Sequence, residues 1–180
     1  MVYTFQDALN NRDDLKIGAR RGNFISIESP SIQTPRLFIP FGFSEFDTGS
    51  ARKVSLDLTV GTEPVIQDYV KYVESRVRES LPTISDEEFV EYFKPSINGN
   101  NMKFKVDGKT VVVHDGYKVE SPSPRDFRQH TAMAIVRPSL VYFFNSRIGI
   151  TWYAEEIMIF DKTVVRQDAG PVTPPRPMFI

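Results

Sequence analysis

The clearest pattern in the chain runs from Thr131 to Asp161, TAMAIVRPSLVYFFNSRIGITWYAEEIMIFD, where β-branched and aromatic residues crowd both sides of Asn145-Ser146-Arg147 with Gly149 just beyond. That pattern predicts two long strands joined by a short polar turn. On the second strand Ile148, Ile150, Trp152, Ala154, Met158 and Phe160 share one parity and are expected in the core, while Thr151, Tyr153 and Glu155 share the other. Earlier, Met102, Phe104 and Val106 alternate with Lys103 and Lys105, and Asp107-Gly108 predicts a two-residue type I′ turn that returns the chain through Val111 to Val113. A short strand over Tyr117 to Glu120 is also expected.

Alternation recurs upstream. Phe24, Ile25 and Ile27 predict a strand, followed by a turn at Ser29-Pro30-Ser31, and Leu37, Ile39, Phe41 and Phe43 predict another. Pro35 and Pro40 cannot donate to a ladder, so that strand must be bent, bulged or at an edge. Lys53 to Thr59 alternates with Val54, Leu56 and Leu58 inward. The period then changes: Ile66, Tyr69, Val70, Val73 and Val77 fall three and four apart, which predicts a helix ending near Leu81-Pro82. Thr62 is its expected cap, with Pro64 in the first turn. Ser85 and Glu88 form a capping box before a shorter helix that stops ahead of Pro95.

Residues 1–22 are polar, with weak periodicity near Phe5 and Leu9, and read as a helical turn followed by a basic arm ending at Arg20-Arg21-Gly22. Residues 163–180 are rich in proline and read as an extended tail. The 180 residues therefore divide into an N-terminal arm (1–22), one globular domain (23–162) and a tail (163–180). No internal repeat stands out.

The formal net charge of −1 hides a division along the chain. Residues 57–91 hold nine acids against three bases, whereas residues 92–153 hold nine bases against four acids. The strand-rich part is thus the basic part. No apolar run is long enough for a membrane span, no secretory leader opens the chain, and no cysteine is present, which together point to an intracellular, not secreted, protein.

Catalytic signatures are missing. His114 and His130 stand 16 residues apart without a second ligand at metal spacing, so no metal site is expected. Glu155 and Glu156 point to opposite faces of a regular strand, and Glu156, on the core parity, calls for a bulge or an arginine partner. No glycine-rich phosphate loop and no nucleophile elbow occurs. The expectation is a protein that is not an enzyme and needs no cofactor.

The chain instead interleaves aromatics with bases: Phe127 with Arg125 and Arg128, Tyr142 and Phe144 with Arg137, Tyr153 with Arg147, and the Lys103/Lys105 row. Each ring taken singly has an ordinary place in a core. As a set they match what holds single-stranded nucleic acid, where cations track phosphates and rings stack on bases.

The segments KVSLDLTV, EPVIQDYVKYVESRV, KFKVDGKTVVV and IVRPSLVYFFNSRIGITWYAEEIMIFD resemble the single-stranded DNA-binding proteins of T7-like phages and large nucleocytoplasmic DNA viruses. The resemblance spans Asn23 to Asp161. It implies a mainly β protein with a minor α component, an OB-like β-barrel of five to seven strands with one main helix. It also implies sequence-independent binding of single-stranded DNA in viral DNA replication, recombination or repair. The implied partners are single-stranded DNA, replication proteins engaged by the tail through Phe179 and Ile180, and further copies of the chain. Phage relatives end in an acidic tail with a terminal aromatic, and here the tail contains Arg176 and ends Phe179-Ile180. The acidic segment 57–91 is therefore the expected internal competitor for the cations.

Two other functions fit the sequence less well. One is a virion structural or assembly protein, a β-sandwich with a docking tail; the other is a hydrolase using Glu155 or Glu156 with His130.

Overall fold

A computed structural model of the protein describes residues 1–47 and 52–162. The tail with Arg176, Phe179 and Ile180 lies outside the described residues. The N-terminal segment, expected as a helical turn and a basic arm, is built into the fold. β1 (Val2–Thr4) leads into α1 (Phe5–Asn10), where Thr4 accepts from the Asp7 amide and the Asp7 carboxylate accepts from that of Thr4. Phe5 and Ala8 are buried by this helix, and Leu15 follows them into the core. A 3-10 turn at Arg12–Asp14 then gives way to β2 (Lys16–Arg21), which pairs antiparallel with β3 (Phe24–Glu28). Burial of three apolar side chains is what turns the supposed arm into part of the domain.

Ser31, expected in a turn, opens a short strand β4 (Ser31–Gln33), and the next predicted strand is split around Pro40 into β5 (Leu37–Phe38) and β6 (Phe43–Asp47). β7 (Arg52–Thr59) follows and buries Leu56 and Leu58. Helix α2 (Pro64–Glu79) places Pro64 at its first position, but Glu63 rather than Thr62 occupies the cap, with no side-chain hydrogen bond. All five residues of the predicted stripe are buried. Helix α3 (Asp86–Tyr92) starts with the expected Ser85/Glu88 box.

After β8 (Ile97–Asn98) and β9 (Asn101–Val106), the chain departs from expectation. β9 and β10 (Val111–His114) do not form a hairpin. Both run parallel to β13 (Arg147–Phe160), β9 at Tyr153 and β10 along Glu156 to Ile159. A type I′ turn needs positive φ at both central residues, and neither Asp107 nor Gly108 has it. Residues 107–110 instead make a step, stapled by Thr110, whose hydroxyl donates to the Ala154 carbonyl at 2.8 Å. A hairpin turn with positive φ at both residues occurs instead at Asp115-Gly116 (φ 52° and 77°), joining β10 to β11 (Tyr117–Lys118).

β12 (Thr131–Phe144) and β13 form the expected long antiparallel pair, turned at Asn145 and Ser146 with φ 48° and 58°. Around them β5, β7 and β9 close a ring in the order β12-β5-β7-β9-β13. The protein is a mainly β, OB-like barrel of five ring strands, with further strands on its flanks and α2 as main helix. No helix among the described residues is long and apolar enough to cross a membrane.

The register of β12 and β13 slips twice, leaving Glu155 and Ser139 without opposite partners. The first slip overturns the simple parity of β13. Beyond Glu155 it is Ile157 and Ile159 that join the main core, while Met158 and Phe160 form a separate cluster with Met133. Before the slip the parity holds, and Trp152 is 2% exposed at the heart of the barrel. Its indole Nε1 donates to Ser96 Oγ at 2.9 Å, and the Ser96 amide donates to Glu74 of α2 at 2.8 Å. Tyr69 of α2 meets the same indole edge-on at 6.3 Å between centroids. Trp152→Ala should therefore loosen both barrel and helix, and urea unfolding should register a loss of about 3–5 kcal/mol; a loss under about 1 kcal/mol would show that the indole does not tie them together.

Candidate nucleic-acid interface

Residues paired directly across neighbouring strands point to the same side of a sheet. Applied to the outer face of the barrel, this rule assembles the site row by row. Lys105 of β9 stands opposite Tyr153 of β13, and Tyr153 opposite Arg137 of β12. Two residues back along β9, Lys103 shares the outward face. Thr151 pairs with Leu140, which pairs with Ser26 of β3. Gly149 pairs with Tyr142, Tyr142 with Phe24, and Phe24 with Arg21 of β2. At the hairpin tip Phe144 faces Arg147.

The result is one face crossing β9, β13, β12, β3 and β2, or about 19 Å at the usual strand spacing. Its rings are Phe24, 44% exposed, Phe144, 69% exposed, and the half-buried Tyr142 and Tyr153. Its exposed cations are Lys103, Lys105, Arg147 and Arg21, and none of the four closes an ion pair among the described residues.

Two side chains on this face are held in place by neighbours. Arg137 donates from Nε to Glu155 at 2.8 Å, and the same carboxylate accepts from Ser31 at 2.8 Å. Arg137 is therefore neutralised, and its guanidinium lies 5.4 Å from the centre of the Tyr153 ring. Tyr153 donates its hydroxyl to Asp107 at 2.7 Å, which anchors the far end of the ring. Partial burial pushes the Tyr153 hydroxyl above its ordinary pKa. Tyr142 is raised by burial too, against the opposing charge of Arg147 nearby. Gly149 makes room for the Tyr142 ring: a Cβ there would clash with its Cζ and hydroxyl oxygen.

Glu155 is thus the arginine partner, and it occupies the bulge, so Glu156 turns outward and is exposed. Neither carboxylate contacts His130 among the described residues, so the pairing of Glu155 or Glu156 with His130 is not formed.

The structure sets Arg125, Phe127 and Arg128 in a different environment. Their loop docks on residues 39–43 through Arg125 N to Phe43 O at 2.7 Å and Gln129 N to Ile39 O at 2.8 Å. The approach requires Gly42, where a Cβ would stand 2.5 Å from the Asp126 carbonyl oxygen. Phe127 packs edge-on against Phe43 and His114, with centroids 6.1 Å and 4.9 Å away. Phe127 is thereby half-buried, while Arg125 and Arg128 remain exposed. Conversely, Arg21 and Phe24 were not among the predicted site residues. Alternation marks Phe24 as outward beside buried Ile25, but Arg21 needs the β2–β3 pairing to be placed.

An acid also lies on this face. Asp57 of β7 stands opposite Lys103, and its Oδ1 is buried without a hydrogen bond. Burial raises its pKa, and Lys103 and Lys94 oppose that shift. A carboxyl raised in the folded state weakens folding once ionised, so stability should rise as pH falls through its folded pKa. Asp57→Asn is expected to be more stable than the parent at pH 7 in urea unfolding, with the advantage shrinking as the parent's carboxyl protonates. An advantage that stays constant with pH would assign the effect to something other than this ionisation.

No protein-family model matches the chain, and no curated protein matches it. Among solved structures, it is similar to the single-stranded DNA-binding protein from bacteriophage Enc34 in complex with ssDNA, at a TM-score of 0.46 and 10% identity, covering 84% of this chain and 98% of that one. A C-terminal truncation of that protein gives 0.43 and 10%, with 82% and 95% covered. A further structure of it gives 0.41 and 10%, with 87% and 96% covered.

Proposed function

We propose that the protein binds single-stranded DNA without sequence preference, laying the strand across the outer face of β9, β13, β12, β3 and β2. The observation that carries this reading is the joint placement on that face of Phe24, Tyr142, Phe144 and Tyr153 with four cations that close no ion pair among the described residues. The rings offer faces on which any base can stack, and the cations meet a backbone that every sequence shares. Arg137 acts by positioning: held by Glu155, it supports the Tyr153 ring. The setting we assign is DNA replication, recombination or repair, where single strands are exposed, with no catalysis by the protein itself.

Fluorescence anisotropy with a labelled oligothymidylate, run from low to high salt, tests this. Four phosphate contacts should give a slope of log K against log salt of about −2.8, and each of Lys103→Ala, Lys105→Ala and Arg147→Ala should reduce its magnitude by about 0.7. Phe144→Ala and Phe24→Ala should cost about 1–3 kcal/mol for each base that stacks there. Gly149→Ala should behave like a mild Tyr142 deletion, because the added methyl group displaces the ring. Affinity that ignores salt, or that survives removal of the cations and rings, would overturn the assignment. Stronger binding to duplex DNA or to RNA would replace single-stranded DNA as the ligand.

A further inference from the structure

The strand ends away from the hairpin tip bring together three residues far apart in sequence. His114 closes β10, Asp161 follows the last residue of β13, and His130 precedes the first residue of β12. Two pairings force the encounter: His114 with Ile159 in the parallel ladder, and Thr131 with Phe160 in the antiparallel one. The ligating atoms of the three side chains all lie within 4.8 Å of one another. His114 Nε2 is 2.6 Å from Asp161 Oδ1, and His130 Nε2 is 3.9 Å from the same oxygen. Asp115 brings a second carboxylate to 3.6 Å from His114 Nε2.

We propose that this cluster binds one divalent transition-metal ion of the zinc class, with His114, His130 and Asp161 as ligands and Asp115 or water in the fourth position. Metal–nitrogen and metal–oxygen bonds of about 2.0–2.2 Å place tetrahedral ligand atoms about 3.3–3.5 Å apart. The pair at 2.6 Å must open and the pair at 3.9 Å must close, each by under about 1 Å, within the reach of side-chain rotation. Two imidazoles select transition ions over magnesium and calcium, which prefer all-oxygen shells.

The surroundings already orient the ligands. His130 Nδ1 lies 3.2 Å from the Arg128 carbonyl, so a proton on Nδ1 leaves the Nε2 lone pair facing Asp161. Phe127 packs edge-on against both imidazoles, at 4.9 Å and 5.6 Å, and gives the cluster an apolar wall. Asp161 is largely exposed and leaves an entry from solvent. The loop that delivers His130 holds Arg125, Phe127 and Gln129 at φ of 69°, 62° and 64°, a conformation L-residues seldom adopt. An ion bridging β10, His130 and the end of β13 would fasten that loop. This proposal is independent of DNA binding.

The test uses the full chain without an affinity tag, stripped with chelator and titrated with cobalt(II), then with zinc. The expected result is one ion per chain, visible absorption bands of four-coordinate cobalt that zinc abolishes, and binding that weakens as acid protonates the imidazoles. His130→Gln and Asp161→Asn, both outside the strands, should each weaken binding more than about a hundredfold, exceeding the roughly 10–100-fold that outer-shell changes typically cost. Circular dichroism of the metal-free variants checks that they fold. Absence of cobalt bands and of a one-site isotherm in the parent would overturn the proposal, as would unchanged binding by folded variants.

Discussion

The antiparallel ladder between β12 and β13, fourteen residues on each strand, is the constraint on which the other elements depend. Each strand has a free edge along its whole length, and a barrel forms only when those edges are filled. β3, β4 and β5 share the edge of β12, while β9 and β10 share that of β13. β7 then joins the two sides through β5 and β9, and the ring is closed. The indole of Trp152, hydrogen-bonded to Ser96 and met by Tyr69, fixes α2 against this ring.

The two register slips decide what the ladder displays. Without the bulge at Glu155, Glu156 would point into the core and Ile157 and Ile159 away from it. With it, Glu155 remains on the outer side, where it neutralises Arg137 and steadies Tyr153. Arg137 is thereby held as a support for the Tyr153 ring. The exposed cations beside it, Lys103, Lys105, Arg147 and Arg21, retain their charge for an external anion. Many of the acids of segment 57–91 lie exposed on the two helices, including Asp68, Glu79, Asp86, Glu87, Glu88 and Glu91. Asp57 is an exception, placed directly against Lys103.

The two ends of the ladder are built differently. Near the turn, Gly149 makes room for the Tyr142 ring beside Phe24. At the other end the termini of three strands meet, and their last side chains are two imidazoles and a carboxylate. The same pairing that builds the barrel supplies both places. The loop of residues 123–130, which leads to His130, docks beside β5 and β6 at Gly42, whose missing side chain permits the close approach.

Sequence alone determined the elements whose period was unambiguous: the two long strands, the alternation of β7 and β9, the five-residue stripe of α2 and the capping box of α3. Alternation also set Lys103 and Lys105 against Met102, Phe104 and Val106, and Tyr153 against Trp152, as the strands have them. Alternation is a local property, so it can be read from neighbours in the chain. Partner choice is not local. Asp107-Gly108 carried a hairpin signal, yet the edge of β13 offered hydrogen bonds to both β9 and β10, and the chain stepped along it instead of turning back. Residues 1–22 looked like an arm because Phe5, Ala8 and Leu15 are spaced too irregularly to reveal the core they enter. The bulge at Glu155, the face of Met158 and the meeting of His114, His130 and Asp161 were likewise decided by tertiary structure, because each depends on a register set by residues far away in the chain.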